Sequence, residues 1–197
     1  MNKSHKQYFN DLAPDWEAKM PTRPEFRDYI KRFGVSDGDM VLDIGAGTGR
    51  MSRLLLDEVG SENCVVAQDF ALDMLREAKI MIPSLGKSLV CENVQALAYA
   101  DDTFDKVLCF SAFPHFTDQL LALKEMGRVL KPQGKLLILH NRSSEGLNAF
   151  HNSLSDPVNQ DSLPHSSELS NMIVRTGLKP VRIEESENLY WVEAVKP

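Results

Sequence analysis

Along this 197-residue chain, short unbroken apolar runs alternate with stretches in which apolar residues return every three or four positions. The runs are MVLDI (40–44), CVVAQDF (64–70), SLVCENV (88–94), DKVLCFSAF (105–113) and KLLILH (135–140), each of strand length. Runs without polar alternation predict strands covered on both faces. Between them, Met51, Leu54, Leu55 and Val59 recur at helical spacing, and Leu72, Leu75, Ala78 and Met81 predict the buried face of a second helix. TDQLLALKEMGRVL (117–130) predicts a third, with a Thr or Asp cap and Lys-Pro beyond its end. Strands alternating with helices in this way require right-handed crossovers and a parallel, doubly wound α/β sheet.

The flanks have another texture. Residues 1–33 predict helical pieces broken by Pro14, Pro21 and Pro24, an N-terminal helical extension. HNRSSEGLNAFHNSLSDPVNQDSLPHS (140–166) is polar and predicts a loop holding a helix, inserted over the carboxyl edge of the sheet. SSELSNMIVRTGL (166–178) predicts a helix with a Ser-x-x-Glu-like cap, closing at Gly177. LKPVRIEESENLYWVEAVKP predicts two strands about a turn near Glu187 and Asn188, an antiparallel hairpin on the sheet's edge. The expected organisation is one domain of about seven strands over 1–197, with the core at 36–140, the insertion at 141–166 and the last helix and hairpin at 167–197.

Composition narrows the function. With 43% hydrophobic and 25% charged residues the chain buries one substantial core. No apolar run approaches the roughly 20 residues of a membrane span, and MNKSHKQYFNDLAPDW lacks the apolar centre of a secretory signal, so a cytoplasmic protein is expected. Cys64, Cys91 and Cys109 are odd in number and scattered, which suits reduced thiols and no metal site. A net charge of -6 without a basic stripe argues against nucleic acid and for a small-molecule partner.

The sharpest local signal is VLDIGAGTGR (41–50), a buried strand running into Gly45, Gly47 and Gly49. In an open α/β sheet the loop after the first strand borders the ligand crevice, and glycines there bring bare backbone against the ligand. A dinucleotide site wants Gly-x-Gly-x-x-Gly with a diphosphate on the helix N-terminus. Here the spacing is Gly-x-Gly-x-Gly, with Arg50 in the last place, and Asp43 precedes the loop. A carboxylate beside a diphosphate repels it, whereas it attracts the ammonium of an amino acid. The expected ligand is a cationic, phosphate-free nucleoside.

VLDIGAGTGR resembles motif I of the class I S-adenosylmethionine-dependent methyltransferases, and later blocks match in order. QDF resembles that family's acidic position after the second strand, ALDMLREAK its adenine-packing segment, ENVQALAYADDTFDKVLCFSAFPHF its Gly-Asp-Ala to Phe-Asp block, and RVLKPQGKLLI its Arg-Val-Leu-Lys-Pro-Gly-Gly signature. The resemblance covers about 36–140 and is greatest to the type 11, quinone-biosynthesis-like group, whose lead-in YFNDLAPDWE also resembles. It implies a Rossmann-like fold, transfer of a methyl group to a small-molecule acceptor, and S-adenosyl-L-homocysteine as product. The cofactor residues it implies are Asp43, Gly45, Ala46, Gly47, Gly49, Asp69, Phe70, Met74, Asn93, Val94 and Ser111, with Asp69 on the ribose hydroxyls and Met74 on adenine. Three positions depart from the pattern: Asn93 stands for an adenine-binding aspartate, Gln133 for a turn glycine, and Ala98-Tyr99 for a Leu-Pro-Phe-like stretch.

No acid or base is demanded by a sulfonium already activated for in-line displacement, beyond holding the nucleophile and excluding water. Candidates are His115, near the methyl-transfer region and expected as pocket wall, and His140 and His151, which with His165 and Asp161 could converge on a metal or a proton. Tyr8 and Trp16 either fold over the cofactor or staple the first helix to the domain. Two other classes stay open: a nicotinamide-dependent oxidoreductase on a similar sheet, and a non-catalytic nucleoside-binding relative.

Overall fold

The computed structural model describes residues 4–61 and 64–197; the first three residues of the expected N-terminal extension lie outside the described residues. The strands are β1 (Val41–Ile44), β2 (Val65–Asp69), β3 (Leu89–Cys91), β4 (Phe104–Phe110), β5 (Leu130–His140), β6 (Lys179–Ser186) and β7 (Leu189–Val195). They form one sheet in the order β3-β2-β1-β4-β5-β7-β6, parallel from β3 to β5 and antiparallel at β7 and β6. The chain leaves β1 toward β2 on one side and returns to β4 on the other. The strand order therefore reverses between β1 and β4, where a crevice opens at the carboxyl ends.

Two-residue alternation divides the core. Leu42 and Ile44 of β1, with Leu136 and Ile138 of β5, face α6 (Gln119–Val129) and α8 (Ser166–Val174). Val41, Leu137 and Leu139 face the other way, onto α3 (Glu25–Phe33) and α4 (Arg50–Val59). Both faces are covered, as unbroken apolar strands require. Phe26, Ile30 and Phe33 of α3 are essentially unexposed. Burying each stabilises the fold by roughly 1.5–3 kcal/mol.

Several expected details move. The buried side of α5 (Leu72–Met81) is Met74, Leu75 and Ala78, while Leu72 and Met81 are 42% and 44% exposed. The reason is a third layer: Met74 and Ala71 pack on Phe9 of α1 (His5–Leu12), which turns α5 toward the N-terminal helix. Of the two expected caps of α6 it is Asp118 that serves, accepting from Leu121 N–H at 2.9 Å. His165, not a serine, caps α8, its Nδ1 accepting from Ser167 N–H at 3.3 Å. β5 begins at Leu130 because the KPQG stretch pairs onward; Gln133 donates its N–H to Lys196 O at 2.8 Å. Gln133 does so at φ +65°, a backbone region that disfavours side chains. The polar insertion holds α7 (Ser144–Asn152). α2 (Trp16–Lys19) follows α1 over the crevice. No helix among the described residues is long and apolar enough to cross a membrane.

Candidate active site

At the switch point a cavity of about 350 Å³ lies over the loop that follows β1. The loop has no room for side chains at its base: Gly45 has φ +66°, and a Cβ there would come within 2.3 Å of Ala112 Cβ. Gly47, at φ +58°, presents bare main chain to the cavity, with Trp16 Nε1 3.6 Å from where its Cβ would be. The loop was expected to aim its N–H groups at a ligand, and they are otherwise engaged. Gly45 N–H donates to Gln68 Oε1 (3.3 Å), Ala46 N–H to Gln68 O (2.9 Å) and Gly47 N–H to Asp69 Oδ2 (2.9 Å).

Asp69 closes β2 at the cavity wall, 6% exposed. Its Oδ1 accepts from Ala71 N–H at 2.8 Å and its Oδ2 from Gly47 N–H at 2.9 Å, and the Phe70 N–H bonds the same carboxylate, which still leaves acceptor capacity for a ligand hydroxyl. Burial raises its pKa from 3.8 to about 6. Asp43 was expected in the pocket and is not there. On a strand its side chain shares a face with Val41, the face that α4 covers, so its carboxylate takes the Ser52 hydroxyl at 2.6 Å and is 1% exposed. Burial, with the charge of Asp69 adding to it, raises its pKa to about 7. Both acids lie beneath or beside the loop, and neither is salt-bridged among the described residues.

Gly45, Gly47, Asp69, Phe70, Met74, Asn93, Val94 and Ser111 all line this cavity, as does His115. Ala46 and Gly49 do not; they shape the turn from behind. The Asn93 carbonyl already accepts from Gln95 N–H at 3.0 Å, leaving its second lone pair and its amide N–H groups. Trp16 and Tyr8 both pack on the cluster around Phe9 and Met74, and Trp16 also lines the cavity. Gln68, Glu92, His5 and Phe9 also line it and were not singled out. For α1 the signal was present: His5 and Phe9 are four apart and share a helical face.

The histidines partly converge. His115 Nδ1 lies 2.6 Å from Asp161 Oδ2, and His5 Nε2 lies 2.8 and 3.0 Å from the two oxygens of the same carboxylate. His151 is buried beside them, its ring 5.2 Å from that of His115 and its Nδ1 3.1 Å from Asp161 O. Burial lowers its pKa. His140 stands at the carboxyl end of β5, as expected, but is 1% exposed under Tyr190, with no partner for Nε2 among the described residues, and burial drives its pKa down to about 3. Alternation along β5 explains this, since His140 shares the inward face of Leu136 and Ile138. His165 is spent on the α8 cap. Among the described residues no three His, Cys, Asp or Glu are placed to hold a metal ion.

The donor set fits a nucleoside that carries a cation. Bare backbone at Gly47 admits close approach, Asp69 retains acceptor capacity for a diol, and Asp69 with Glu92 gives the cavity wall negative charge. It suits a diphosphate less well, because the N–H groups of Gly45, Ala46, Gly47 and Gly49 are already bonded.

Comparisons with known proteins agree with that geometry. Residues 42–138 match the family model described as a methyltransferase domain. The chain is 38% identical over 117 residues to the ubiquinone/menaquinone biosynthesis C-methyltransferase UbiE of Marinomonas sp. (strain MWYL1), covering 57% of this chain and 47% of that one. To the demethylmenaquinone methyltransferase of Shouchella clausii it is 36% identical over 116 residues, covering 57% and 49%. The chain thus spans about half the length of the curated relatives it matches. Among solved structures it resembles an S-adenosylmethionine-dependent methyltransferase from Aquifex aeolicus, with TM-score 0.73 and 22% identity over 99% of this chain and 100% of that one. A methyltransferase-like structure from Bacillus halodurans gives 0.70 and 18% over 89% and 100%. These two likenesses concern the fold.

Proposed function

Through residues 42–138 the chain belongs to the type 11 methyltransferase domain family, and we propose from that premise that it transfers a methyl group from S-adenosylmethionine to a small-molecule acceptor. One observation supports this most: a bare glycine cradle beside a buried Asp69 that, after the backbone N–H bonds of Gly47, Phe70 and Ala71, keeps acceptor capacity. The cofactor supplies a methyl already activated on a sulfonium. The chain's part is to hold, orient and keep dry. Asp69 takes the ribose hydroxyls; Met74 and Val94, both buried, flank the base; Phe9 and Trp16 close the cavity from the N-terminal side. Removing water from around a developing thioether and a nucleophile leaves proximity and orientation to supply the rate.

The acceptor is proposed to be of the aromatic, quinol type, a reading supported by the names of the UbiE and demethylmenaquinone relatives and limited by the half of their length that this chain spans. Free thiols at Cys64, Cys91 and Cys109 support a cytoplasmic setting.

Titration calorimetry with S-adenosylhomocysteine tests the reading. The full chain is expected to bind it saturably, with Asp69→Ala weakening binding by at least about ten-fold through the loss of charge-assisted hydrogen bonds. Gly47→Val should lose binding through both φ and bulk. Absence of binding to the wild-type chain, or binding unchanged by both substitutions, would overturn it.

A further inference from the structure

A second, larger cavity of about 640 Å³ lies beside the first, and the two share His5, His115, Phe116 and Thr117 as lining residues. Between them stands one carboxylate, Asp161, held by two imidazoles from segments far apart in sequence. The cofactor cavity has only the size of a single small ligand. The second cavity then belongs to the acceptor, and the imidazole bridge is the wall where the two meet.

Resting on the methyltransferase reading, we infer that His115 is the general base for a hydroxyl-bearing, phenolic or enolic acceptor, with Asp161 and His5 as its positioning residues. Asp161 accepts the Nδ1–H of His115, which fixes the tautomer: the neutral ring carries its lone pair on Nε2, and no other hydrogen bond reaches that ring among the described residues. In the step, the acceptor's O–H bond breaks, its electron pair stays on oxygen, and the proton forms an N–H bond at Nε2. The resulting imidazolium is balanced by Asp161, 2.6 Å from its other nitrogen.

The presence of a base selects the acceptor class. An amine attacks through its lone pair and sheds its proton afterwards, whereas a hydroxyl is a weak nucleophile until the proton leaves. The same holds for a ring carbon made nucleophilic by a neighbouring phenolate. Asp118, Asp161 and Glu168 line the second cavity and, among the described residues, no lysine or arginine does, so an acceptor that arrives neutral is favoured over an anion. The titratable groups facing the His115 ring are His5 on α1, His151 on α7 and Asp161, with His140 of β5 behind them. Because His5 belongs to α1, the N-terminal helix completes the base only when it is seated over the crevice.

4-Nitrophenol, whose phenolate is coloured, is the probe. It is mixed with the full chain, with and without S-adenosylhomocysteine, at about one pH unit below the probe's own ionisation. The wild-type chain is expected to develop the phenolate band on saturation. His115→Gln should reduce the bound phenolate about ten-fold, Asp161→Asn should reduce it, Asp161→Glu should restore part of it, and His5→Gln should have a smaller effect. His165→Gln, which alters the α8 cap and the contact with Glu185 away from the base, should leave the band intact, and cooperative melting of each variant separates loss of the base from loss of fold. A probe that fails to bind the wild-type chain, or binds colourless, or gives the same band with His115→Gln, overturns the inference. The wild-type calorimetry is independent: bound S-adenosylhomocysteine without phenolate sinks the base alone, and phenolate without bound S-adenosylhomocysteine sinks the methyltransferase reading.

Discussion

The two ends of the crevice hold buried titratable groups of opposite kind. At the glycine-loop end Asp43 and Asp69 are desolvated acids whose pKa values rise to about 7 and about 6. At the insertion end His140 is a desolvated base whose pKa falls to about 3, and that of His151 falls too. Each end is desolvated by burial, yet among the described residues a carboxylate sits between His5 and His115 at the insertion end, whereas no cation pairs with either acid at the loop. The loop end is built to be completed by a ligand, the insertion end to work on one.

The largest test of that contrast is steric. The loop end is made of main chain, so a single methyl should ruin it. Gly45→Ala places a Cβ 2.3 Å from Ala112 Cβ at φ +66°. Left-handed backbone costs about 1–2 kcal/mol and the overlap about 1–3 kcal/mol more. Urea denaturation should show the midpoint falling accordingly, with S-adenosylhomocysteine binding lost. The insertion end is made of side chains, and His115→Gln should melt close to wild type. A near-native midpoint for Gly45→Ala would break the contrast.

The next test is pH, and here the two ends oppose each other. Unfolded Asp43 and Asp69 ionise near 3.8, folded ones near 7 and 6. Between those values the folded chain holds protons that the unfolded chain has released, so stability falls as pH rises, by at most about 1.4 kcal/mol per unit for each group. For His140 the unfolded ring is protonated below 6.5 while the folded one stays neutral down to about 3, so stability rises with pH across that window. From pH 4 to about 6 the wild-type curve should therefore fall with pH, the two acids together outweighing His140. Asp43→Asn should tilt it upward with pH, and His140→Gln should tilt it downward. Denaturation midpoints across that range decide, and parallel curves for all three proteins would remove the argument.

Much of the loop end was legible because its chemistry is local: the strand, the three glycines and Asp69 declare themselves within short windows of sequence. What failed there was direction. Asp43 was assigned to the pocket by its place before the glycines, although the two-residue alternation that puts Leu42 and Ile44 on one face puts Asp43 on the other, against Ser52. Gln68 was passed over because its role, satisfying Gly45 and Ala46, exists only once β2 lies beside β1. The insertion end was hardly legible. His5 and Asp161 are 156 positions apart, and nothing local to either announces the other. His140 and His165 look alike as polar-segment histidines, and only strand alternation and a helix start send one into the core and the other to a cap. A site assembled from distant side chains depends on packing that no window of sequence contains.

The smallest test uses a position remote from both ends as a yardstick. Gln133 holds φ +65° where the matching family signature has a glycine, and its N–H reaches Lys196 O at 2.8 Å. If loop strain by itself disturbed the crevice, this turn would do so as readily as Gly45. Gln133→Gly relieves a left-handed side chain at a cost of about 1–2 kcal/mol but frees the unfolded chain, which returns part of that gain. The net expectation is a stabilisation of about 0.5–1 kcal/mol, with S-adenosylhomocysteine affinity and the nitrophenolate band unchanged. A shift in either ligand signal would mean that strain in the β5 turn reaches the crevice through the sheet, and the separation between the two ends would have to be redrawn as one coupled unit.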